Sequence, residues 1–330
     1  MRGGCVASFA RSQPTDQRLA EMKEMSEKYS CHIISLRADV SDFESVKKAF
    51  ETYHAENHDY PMKGIFQGAA VVDDAIIVNM TEKKFEKVLR PKIKGTLNLH
   101  ILSKDMKLDY FILHSSITAV FGNTGQMNYG AGNSFMDTFA YYRRSNGLSG
   151  QTINWGALHL GLLTTYEHVE RHLNAQGYHS LKSHEIMECL LHTLSNDFTQ
   201  IVYGIFKWDT IVRKSPDMVH ISSKLQPILL ELNLMTIFTA KQGTKVIVDL
   251  EELQKLPKDK LYVKINEIVV LIAADLFAVE VPMIQTTTQF TKLGIDSMTG
   301  MALINTIYEH LSCKIPIIAV LSEASNQFQR

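Results

Sequence analysis

The feature that most constrains the fold is an alternation of short β-type runs with longer helical patterns through roughly the first two thirds of the chain. Strands that alternate with helices form a parallel sheet with helices on both faces. We therefore predict a doubly wound α/β fold. The predicted strands are Cys5–Phe9, His32–Leu36, Gly64–Gln67, Tyr110–Leu113, Gln151–Trp155 and Ile201–Phe206, and the predicted helices are Gln17–Tyr29, Phe43–His54, Thr81–Met106, Met127–Arg144 and His184–Asn196.

The pattern weakens from about Asp209 to Asp259, which we interpret as a linker. From residue 260 to 330 apolar residues again recur at helical spacing, first around Ile268 and then around Ile304. The 330 residues therefore divide into an α/β domain over 1–208, a linker over 209–259 and a small all-α helical bundle.

Composition excludes several classes of protein. The net charge is −1 without a long basic block, so no nucleic-acid partner is implied. The longest apolar run, Ile268 to Val279, contains Asp275 and is too short to cross a bilayer. No signal peptide is visible, and the four cysteines form no paired motif, which is typical of reduced thiols. We predict a cytoplasmic protein that binds no membrane.

The start of the chain departs from the pattern of a dinucleotide-binding sheet. Such a sheet begins with a strand, a glycine-rich turn and a helix, whose backbone amides hold a pyrophosphate. Here Met1 to Cys5 leads directly into what resembles the second strand, and the glycines at 122, 125, 130 and 132 do not form G-x-G-x-x-G. We therefore expect a Rossmann-like sheet that is truncated at its N-terminal end.

Four polar residues carry the chemistry: Lys92, Ser116, Tyr129 and Asn133. Tyr129 and Asn133 are four residues apart, so a helix places them on one face. A tyrosine can donate a proton to a carbonyl oxygen, and a neighbouring ammonium lowers its pKa from about 10. The set predicts a carbonyl reductase. The alternative is that Tyr129 is a half-buried helix aromatic without a catalytic role.

These residues lie within blocks that resemble the ketoreductase domain of polyketide synthases and animal-type fatty acid synthases, an offshoot of the short-chain dehydrogenases. The blocks are G-I-F-Q-G-A-A-V-V-D-D-A, F-E-K-V-L-R-P-K-I-K-G-T-L-N-L-H, L-D-Y-F-I-L-H-S-S, G-Q-M-N-Y-G-A-G-N-S-F-M-D and I-N-W-G-A. The resemblance runs from about Val6 to Trp208. It implies that Lys92, Ser116, Tyr129 and Asn133 are catalytic, with the lysine supplied by P-K-x-x-G, and that Ser115 is a structural neighbour.

The resemblance also implies NADPH as the cofactor. Arg11, assisted by Ser12, would bind the 2′-phosphate, because a guanidinium can bind phosphate through two hydrogen bonds. Asp39 would accept from the adenine amino group, and Val40 would flank the ring. The Gly68-Ala69-Ala70 turn would let the backbone approach the cofactor, and Lys92 and Tyr129 would also contact it. Alternatively, Arg11 is an ordinary surface arginine at a strand end.

Further positions concern stereochemistry and substrate access. Val72-Asp73-Asp74 resembles the L-D-D motif of ketoreductases that form a (3R) hydroxyl, and Phe121 stands where the other subtype has Trp. Asp74 would then control stereochemistry, although both acids could be solvated loop residues. Met127, Phe121 and Leu160 to Leu163 would line the acyl channel, with ordinary packing as the alternative. The spacing of His168, His172, His179 and His184 contains no H-E-x-x-H, so we predict no metal site.

A second motif, Leu293-Gly-Ile-Asp-Ser297-Met, resembles the attachment site of an acyl or peptidyl carrier domain. It implies that Ser297 carries 4′-phosphopantetheine, and a helix N-terminus suits the phosphate. The alternative is that Ser297 only caps the helix. The last carrier helix is expected to be absent or incomplete, because the chain stops at Arg330 soon after K-I-P-I-I-A-V-L.

Together these features predict NADPH-dependent reduction of a β-ketoacyl thioester within polyketide or fatty acid biosynthesis. The expected partners are the ketosynthase, acyltransferase and dehydratase domains of a synthase and a phosphopantetheinyl transferase. The alternative is a catalytically incomplete carrier or scaffold part, which the missing glycine-rich turn favours. A stand-alone short-chain dehydrogenase agrees less well with Ser297 and its module.

Overall fold

A computed structural model of the chain describes residues 4–160, 167–214, 225–232, 250, 253, 255–277, 281, 284, 297–316 and 320. Its strands are β1 (Cys5–Ala10), β2 (His32–Arg37), β3 (Gly64–Gln67), β4 (Tyr110–Ser116), β5 (Gln151–Trp155), β6 (Tyr178–His179), β7 (Gln200–Tyr203) and β8 (Ile205–Phe206). Its α-helices are α1 (Asp16–Tyr29), α2 (Phe43–Glu56), α3 (Glu82–Ser103), α4 (Thr118–Phe121), α5 (Met127–Ser145), α6 (Glu167–Ala175), α7 (Ser183–Ser195), α8 (Trp208–Lys214), α9 (Gln226–Glu231), α10 (Lys258–Phe277) and α11 (Ser297–Leu311).

Side-chain caps fix where the first three helices begin. Thr15, Asp42 and Thr81 each accept a hydrogen bond from the backbone N–H three residues later. Such caps satisfy backbone donors that have no partner within the helix. The predicted starts of these helices agree with the structure to within one residue, because the cap residues are visible in the sequence.

The predicted parallel α/β architecture is confirmed. One sheet has the order β3-β4-β5-β7, and a second pairs β1 with β2, all in parallel. Helices α2, α3 and α5 pack on one face around Phe50, Phe111 and Met136. On the other face α7 packs against Ile112 and Ile153. Among the described residues no hydrogen-bonded strand pair joins the two sheets.

The two sheets are nevertheless aligned at both ends. At the carboxyl ends, Gly95 of α3 lies between the two sheets. A Cβ atom at Gly95 would lie 2.9 Å from the side chain of Gln67, the last residue of β3, and 2.9 Å from Val40, just after β2. At the amino ends, the ring of Tyr60, which precedes β3, lies 5.2 Å from the ring of His32, the first residue of β2. The carboxyl ends of β1, β2 and β3 therefore lie on one side of the molecule.

One predicted element differs from the structure. The run Ile201–Phe206 is not one strand: β7 pairs in parallel with β5, whereas β8 pairs antiparallel with β6. Gly204 separates them, and a Cβ built on Gly156 would lie 3.0 Å from its Cα atom. This close backbone approach breaks the strand, since only glycine fits there.

The C-terminal module contains α10 and α11, which pack through Ile272, Leu303 and Ile307. Within the predicted linker, α8 buries Ile211 and Val212, and Val212 packs with residues of α9. The predicted domain boundaries at 208 and 259 remain predictions. None of the described helices is long and apolar enough to cross a membrane.

Candidate active site

The four residues predicted to be catalytic lie on three neighbouring elements. Lys92 is on α3, Ser116 ends β4, and Tyr129 and Asn133 are in the first turns of α5. Helix α5 packs against both α3 and β4. The fold therefore brings Lys92, Tyr129 and Asn133 together beside the carboxyl end of β4, where Ser116 lies.

Lys92 is almost completely buried, with 1% of its surface exposed. Its Nζ atom lies 5.1 Å from the centre of the Tyr129 ring and 3.5 Å from the carbonyl oxygen of His114. Burial lowers the pKa of Lys92 to about 8, and the carboxylate of Asp137 counteracts that shift. A buried amine whose pKa is near neutrality can exchange protons readily, which suits a residue that assists proton transfer.

Tyr129 differs from the expectation in one respect. Burial raises the pKa of its phenol, Asn133 counteracts this, and the carboxylate of Asp74 adds to it. The pKa of Tyr129 is therefore raised and not lowered as expected, because removing the phenolate from water disfavours the charged form. The Nδ2 atom of Asn133 donates to the carbonyl of Tyr129 at 2.9 Å. Its Oδ1 atom is buried and has no hydrogen-bond partner in the described part of the protein.

A buried polar network that the sequence interpretation missed lies beneath these residues. The Asp137 carboxylate accepts from Thr152 Oγ1 at 2.7 Å and from Asn154 Nδ2 at 2.8 Å. The same Asn154 nitrogen lies 3.0 Å from Ser115 Oγ and 3.1 Å from the Ser116 carbonyl. Ser115 in turn donates to the carbonyl of Asn133 at 3.3 Å. Ser115 is thus a structural neighbour that ties β4 to α5, as predicted.

The acidic loop before α3 is attached to the start of α5. Asp73 forms ion pairs with Lys84 at 3.2 Å and with Lys87 at 2.7 Å. Asp73 is therefore not simply a solvated loop acid. Asp74 accepts from Gln126 Nε2 at 3.0 Å, which places its carboxylate near the beginning of the helix that carries Tyr129. The predicted stereochemical residue therefore lies beside the predicted proton donor.

The predicted adenosine-binding residues lie at the carboxyl ends of β1 and β2. The Arg11 side chain is exposed, and Ser12 follows it. Asp39 accepts from the backbone and hydroxyl of Ser41 at 2.9 and 2.7 Å. Val40 packs against α3 at Gly95.

The predicted backbone turn lies after β3. A Cβ built on Gly68 would meet only the His114 ring, at 3.7 Å, so the turn is open to a ligand. The backbone N–H of Ala69 already donates a hydrogen bond to Gln67 Oε1, at 3.1 Å, and so does not point to a ligand. Gly68 and Ala70 are the members of the turn whose backbone can approach a cofactor.

The predicted acyl channel is partly described. Met127 and Leu160 are 45% and 48% exposed, which leaves both free to contact a substrate, whereas residues 161–163 lie outside the described part of the chain. Phe121 packs at 5.7 Å against Phe206 and at 5.9 Å against Trp208. Phe121 therefore makes the packing contacts of its alternative interpretation, and its place in the acyl channel stays a prediction.

The histidine-rich segment has structural contacts. His172 Nδ1 lies 2.9 Å from the carbonyl of Leu276 in α10, and His159 pairs with Glu170 at 3.3 Å. The side chain of His168 lies outside the described residues. Among the side chains that are described, no group of histidine, cysteine and carboxylate residues has a metal-binding arrangement.

Ser297 is the first residue of α11, a helix of 15 residues. The backbone position agrees with attachment of a phosphate at a helix N-terminus. The Ser297 side chain and residues 293–296 before it lie outside the described residues.

Comparisons with known proteins agree with both parts of the chain. Residues 3–159 match the family described as KR domain, and residues 267–326 match the family described as phosphopantetheine attachment site. The highly reducing polyketide synthase alnA of Emericella nidulans is 39% identical over 184 residues, which are 56% of this chain and 7% of that protein. The reducing polyketide synthase PKS1 of Cochliobolus heterostrophus is 28% identical over 89% of this chain and 12% of that protein.

Solved structures give the same result for the fold. An A1-type ketoreductase superposes with a TM-score of 0.61 and 27% identity, covering 67% of this chain and 46% of that one. An A-type ketoreductase from a modular polyketide synthase has a TM-score of 0.60 and 29% identity over 67% of this chain and 46% of that one. The chain spans about a tenth of the length of the curated relatives named above. Residues 3–159 of the chain are thus a KR domain and residues 267–326 a phosphopantetheine attachment site, and the relatives that the chain resembles are polyketide synthases.

Proposed function

We propose that the α/β part of the chain reduces a β-ketoacyl thioester to a β-hydroxyacyl thioester with NADPH. The observation that carries this proposal is the juxtaposition of the buried Lys92 ammonium with the Tyr129 ring, at 5.1 Å, beside the strand end that bears Ser116. A proton donor, a cation and a hydroxyl at one strand end form an arrangement suited to protonating a carbonyl oxygen during its reduction.

Each residue has a distinct role in the proposed reaction. Ser116 donates a hydrogen bond to the ketone oxygen and holds the carbonyl toward Tyr129. When bound, NADPH supplies a hydride to the β-carbon. The Tyr129 phenol transfers its proton to the forming alkoxide, and the Lys92 ammonium favours the phenolate that remains. Asn133 fixes the first turns of α5 through its bond to the Tyr129 carbonyl.

The residues present fit the cofactor at its adenosine end. Exposed arginines lie at the carboxyl ends of β1 and β2, and the open turn at Gly68 lets a ligand approach the backbone. Arg11 and Ser12 would bind the 2′-phosphate, and Asp39 and Val40 would contact the adenine. Asp74, near the start of α5, would orient the acyl chain so that a (3R) hydroxyl forms.

The C-terminal module would carry the substrate. Ser297, at the N-terminus of α11, would be joined to 4′-phosphopantetheine by a phosphopantetheinyl transferase. The acyl group on that arm would arrive from ketosynthase and acyltransferase domains and leave to a dehydratase domain. The relatives are polyketide synthases of which this chain spans about a tenth, which supports such partners. The proposed location is the cytoplasm.

The proposed reduction is tested with Tyr129→Phe. A β-ketoacyl thioester of a small thiol and NADPH are given to the synthase that contains this chain, and formation of the β-hydroxy product is followed by mass spectrometry. The variant should lose nearly all reduction, because the phenylalanine cannot donate a proton. Tyr141→Phe, on the exposed side of α5, is the matched control. Unchanged turnover in Tyr129→Phe contradicts the proposal.

A second function, a carrier or scaffold part without catalysis of its own, is favoured by the divided sheet. The described residues hold no strand between the β1-β2 pair and β3, and no described strand leads into a G-x-G-x-x-G turn. A Rossmann sheet holds the pyrophosphate at such a turn. This function predicts weak NADPH binding by the isolated chain. A fluorescence titration that gives micromolar affinity contradicts it and leaves the reductase proposal standing.

A further inference from the structure

The buried carboxylate of Asp137 lies on the helix that carries two of the candidate catalytic residues. Tyr129, Asn133 and Asp137 follow one another at intervals of four residues along α5, so they share one face of it. Only 7% of Asp137 is exposed, and Thr152 and Asn154, which donate to its two oxygens, are completely buried. Both oxygens therefore have partners on β5, and these bonds fix the position of the carboxylate.

Asn154 connects this carboxylate to the strand end that bears Ser116. Its Nδ2 atom lies 2.8 Å from Asp137 Oδ2 and 3.1 Å from the carbonyl oxygen of Ser116. Its Oδ1 atom accepts from Gln200 Nε2 at 2.8 Å, and this bond fixes the direction in which the amide points. Since Asp137 is on the same helix as Tyr129, the Asn154 amide sets the position of that helix relative to the end of β4.

The charge of Asp137 also acts on Lys92. Burial lowers the pKa of Lys92 to about 8, and the Asp137 carboxylate counteracts this shift. Two other titratable groups face the Lys92 amine, and both are neutral. Burial lowers the pKa of His114 to about 4, and burial, with the charge of Asp74, raises the pKa of the Tyr129 phenol. A nearby negative charge favours an ammonium group, so Lys92 depends on Asp137 to keep its proton near neutral pH.

We propose that Asp137 is a positioning residue for the reduction. Through Asn154 it holds the strand end that bears Ser116, and through its charge it keeps Lys92 protonated. This inference rests on the proposed reductase function and adds to it a residue that acts only through its neighbours. A protonated Lys92 favours the phenolate that remains when Tyr129 has donated its proton. Ser116 must at the same time stay aligned with the ketone oxygen, because small displacements slow such reactions strongly.

The first test measures the protonation of Lys92 in the full chain. Lysine labelled at Cε is followed by NMR as the pH is raised, and the Lys92 signal is assigned by its loss in Lys92→Met. In Asp137→Asn the midpoint should move down by about one pH unit, because a nearby negative charge is removed. Thr152→Val is the matched control, since it also removes a hydrogen bond to the carboxylate but keeps its charge. An unchanged midpoint in Asp137→Asn overturns the proposal, as does an equal shift in Thr152→Val.

The second test measures kcat and KM for a β-ketoacyl thioester across the pH range in the synthase that contains this chain. In Asp137→Asn the loss of kcat at alkaline pH should begin about one pH unit lower than in wild type. In Gln200→Met no donor orients the Asn154 amide, so kcat should fall about tenfold while the pH profile stays unchanged.

Gln200 is half-buried at the start of the edge strand β7, so Gln200→Met tests the role of Asn154 even where Asp137→Asn does not fold. Tyr141→Phe removes the other hydrogen bond of Gln200 and should leave kcat unchanged. An unchanged kcat in Gln200→Met overturns the positioning of the strand end.

Failure of this inference is separable from failure of the reductase proposal. If wild type gives no reduction while the Lys92 midpoint moves in Asp137→Asn, only the reductase proposal fails. If wild type reduces the thioester and the midpoint does not move, only the role of Asp137 fails.

Discussion

The ammonium nitrogen of Lys92 lies 5.1 Å from the centre of the Tyr129 ring, although the two residues are on different helices. Close packing of α3 on α5 makes this possible, because Gly132 of α5 leaves room for the Lys92 side chain. A Cβ atom at Gly132 would lie 3.1 Å from Lys92 Cδ. The lysine beside Tyr129, which we propose assists it, therefore comes from a neighbouring helix and not from the next turn of the same helix.

Burial of Lys92 predicts a stability cost that depends on pH. Because its pKa is lowered to about 8, the unfolded chain binds more protons than the folded one between about pH 8 and the ordinary lysine value of 10.5, so folding is favoured as pH rises through that range. Lys92→Met should stabilise the fold by about 2 kcal/mol at pH 7, and the gain should shrink at pH 9.5.

Urea denaturation at the two pH values measures the change in the free energy of unfolding. Lys94→Met is the control, because Lys94 is exposed on the same helix. A destabilised Lys92→Met protein at pH 7 would mean that the buried ammonium is fully compensated by its surroundings. The same variant should lose reduction, since no cation then favours the phenolate.

The buried carboxylate of Asp137 should contribute strongly to stability. Asp137→Asn places an amide donor where Thr152 and Asn154 both donate, so at least one buried donor loses its acceptor. We expect a loss of about 2–3 kcal/mol in the free energy of unfolding. Asp197→Asn is the control, because the Asp197 side chain is 85% exposed in its pair with Arg144 and the substitution should cost much less. Equal losses in the two variants would contradict the prediction.

Gly95→Ala should destabilise the protein despite the higher helix propensity of alanine. The propensity gain is about 1 kcal/mol, but the new methyl group would lie 2.9 Å from the Val40 and Gln67 side chains. Overpacking of this kind costs about 1–3 kcal/mol, so we expect a net loss of about 1 kcal/mol. A double-mutant cycle with Val40→Ala checks the cause, since the smaller residue should relieve the contact. Additive effects would contradict the steric explanation.

Ser297 should accept the phosphopantetheine group. Incubation of the chain with coenzyme A and a phosphopantetheinyl transferase should add one group, measured as a mass increase. Ser297→Ala should show no increase, whereas Ser312→Ala, beyond the other end of α11, should be modified as wild type is. A mass increase that persists in Ser297→Ala excludes this serine as the attachment site.

Much of the fold follows from local patterns. The six strand regions and five of the helices are visible in the sequence as apolar periodicity and caps. The break between two strands at Gly204 is not visible, because it depends on the close approach of Gly156 just after β5. The four candidate catalytic residues are also visible, because the family blocks keep their spacing.

The sequence alone determines the order of strands and helices and the identity of Lys92, Ser116, Tyr129 and Asn133, since these depend on near neighbours in the chain. Only the tertiary structure decides the environments of these residues. It buries Lys92, raises the pKa of Tyr129, and joins Asp137 to Ser115 and Ser116 through Asn154. It also brings the Arg37 side chain to the Arg11 carbonyl. Burial and charge depend on contacts between residues far apart in the chain, which local patterns do not contain.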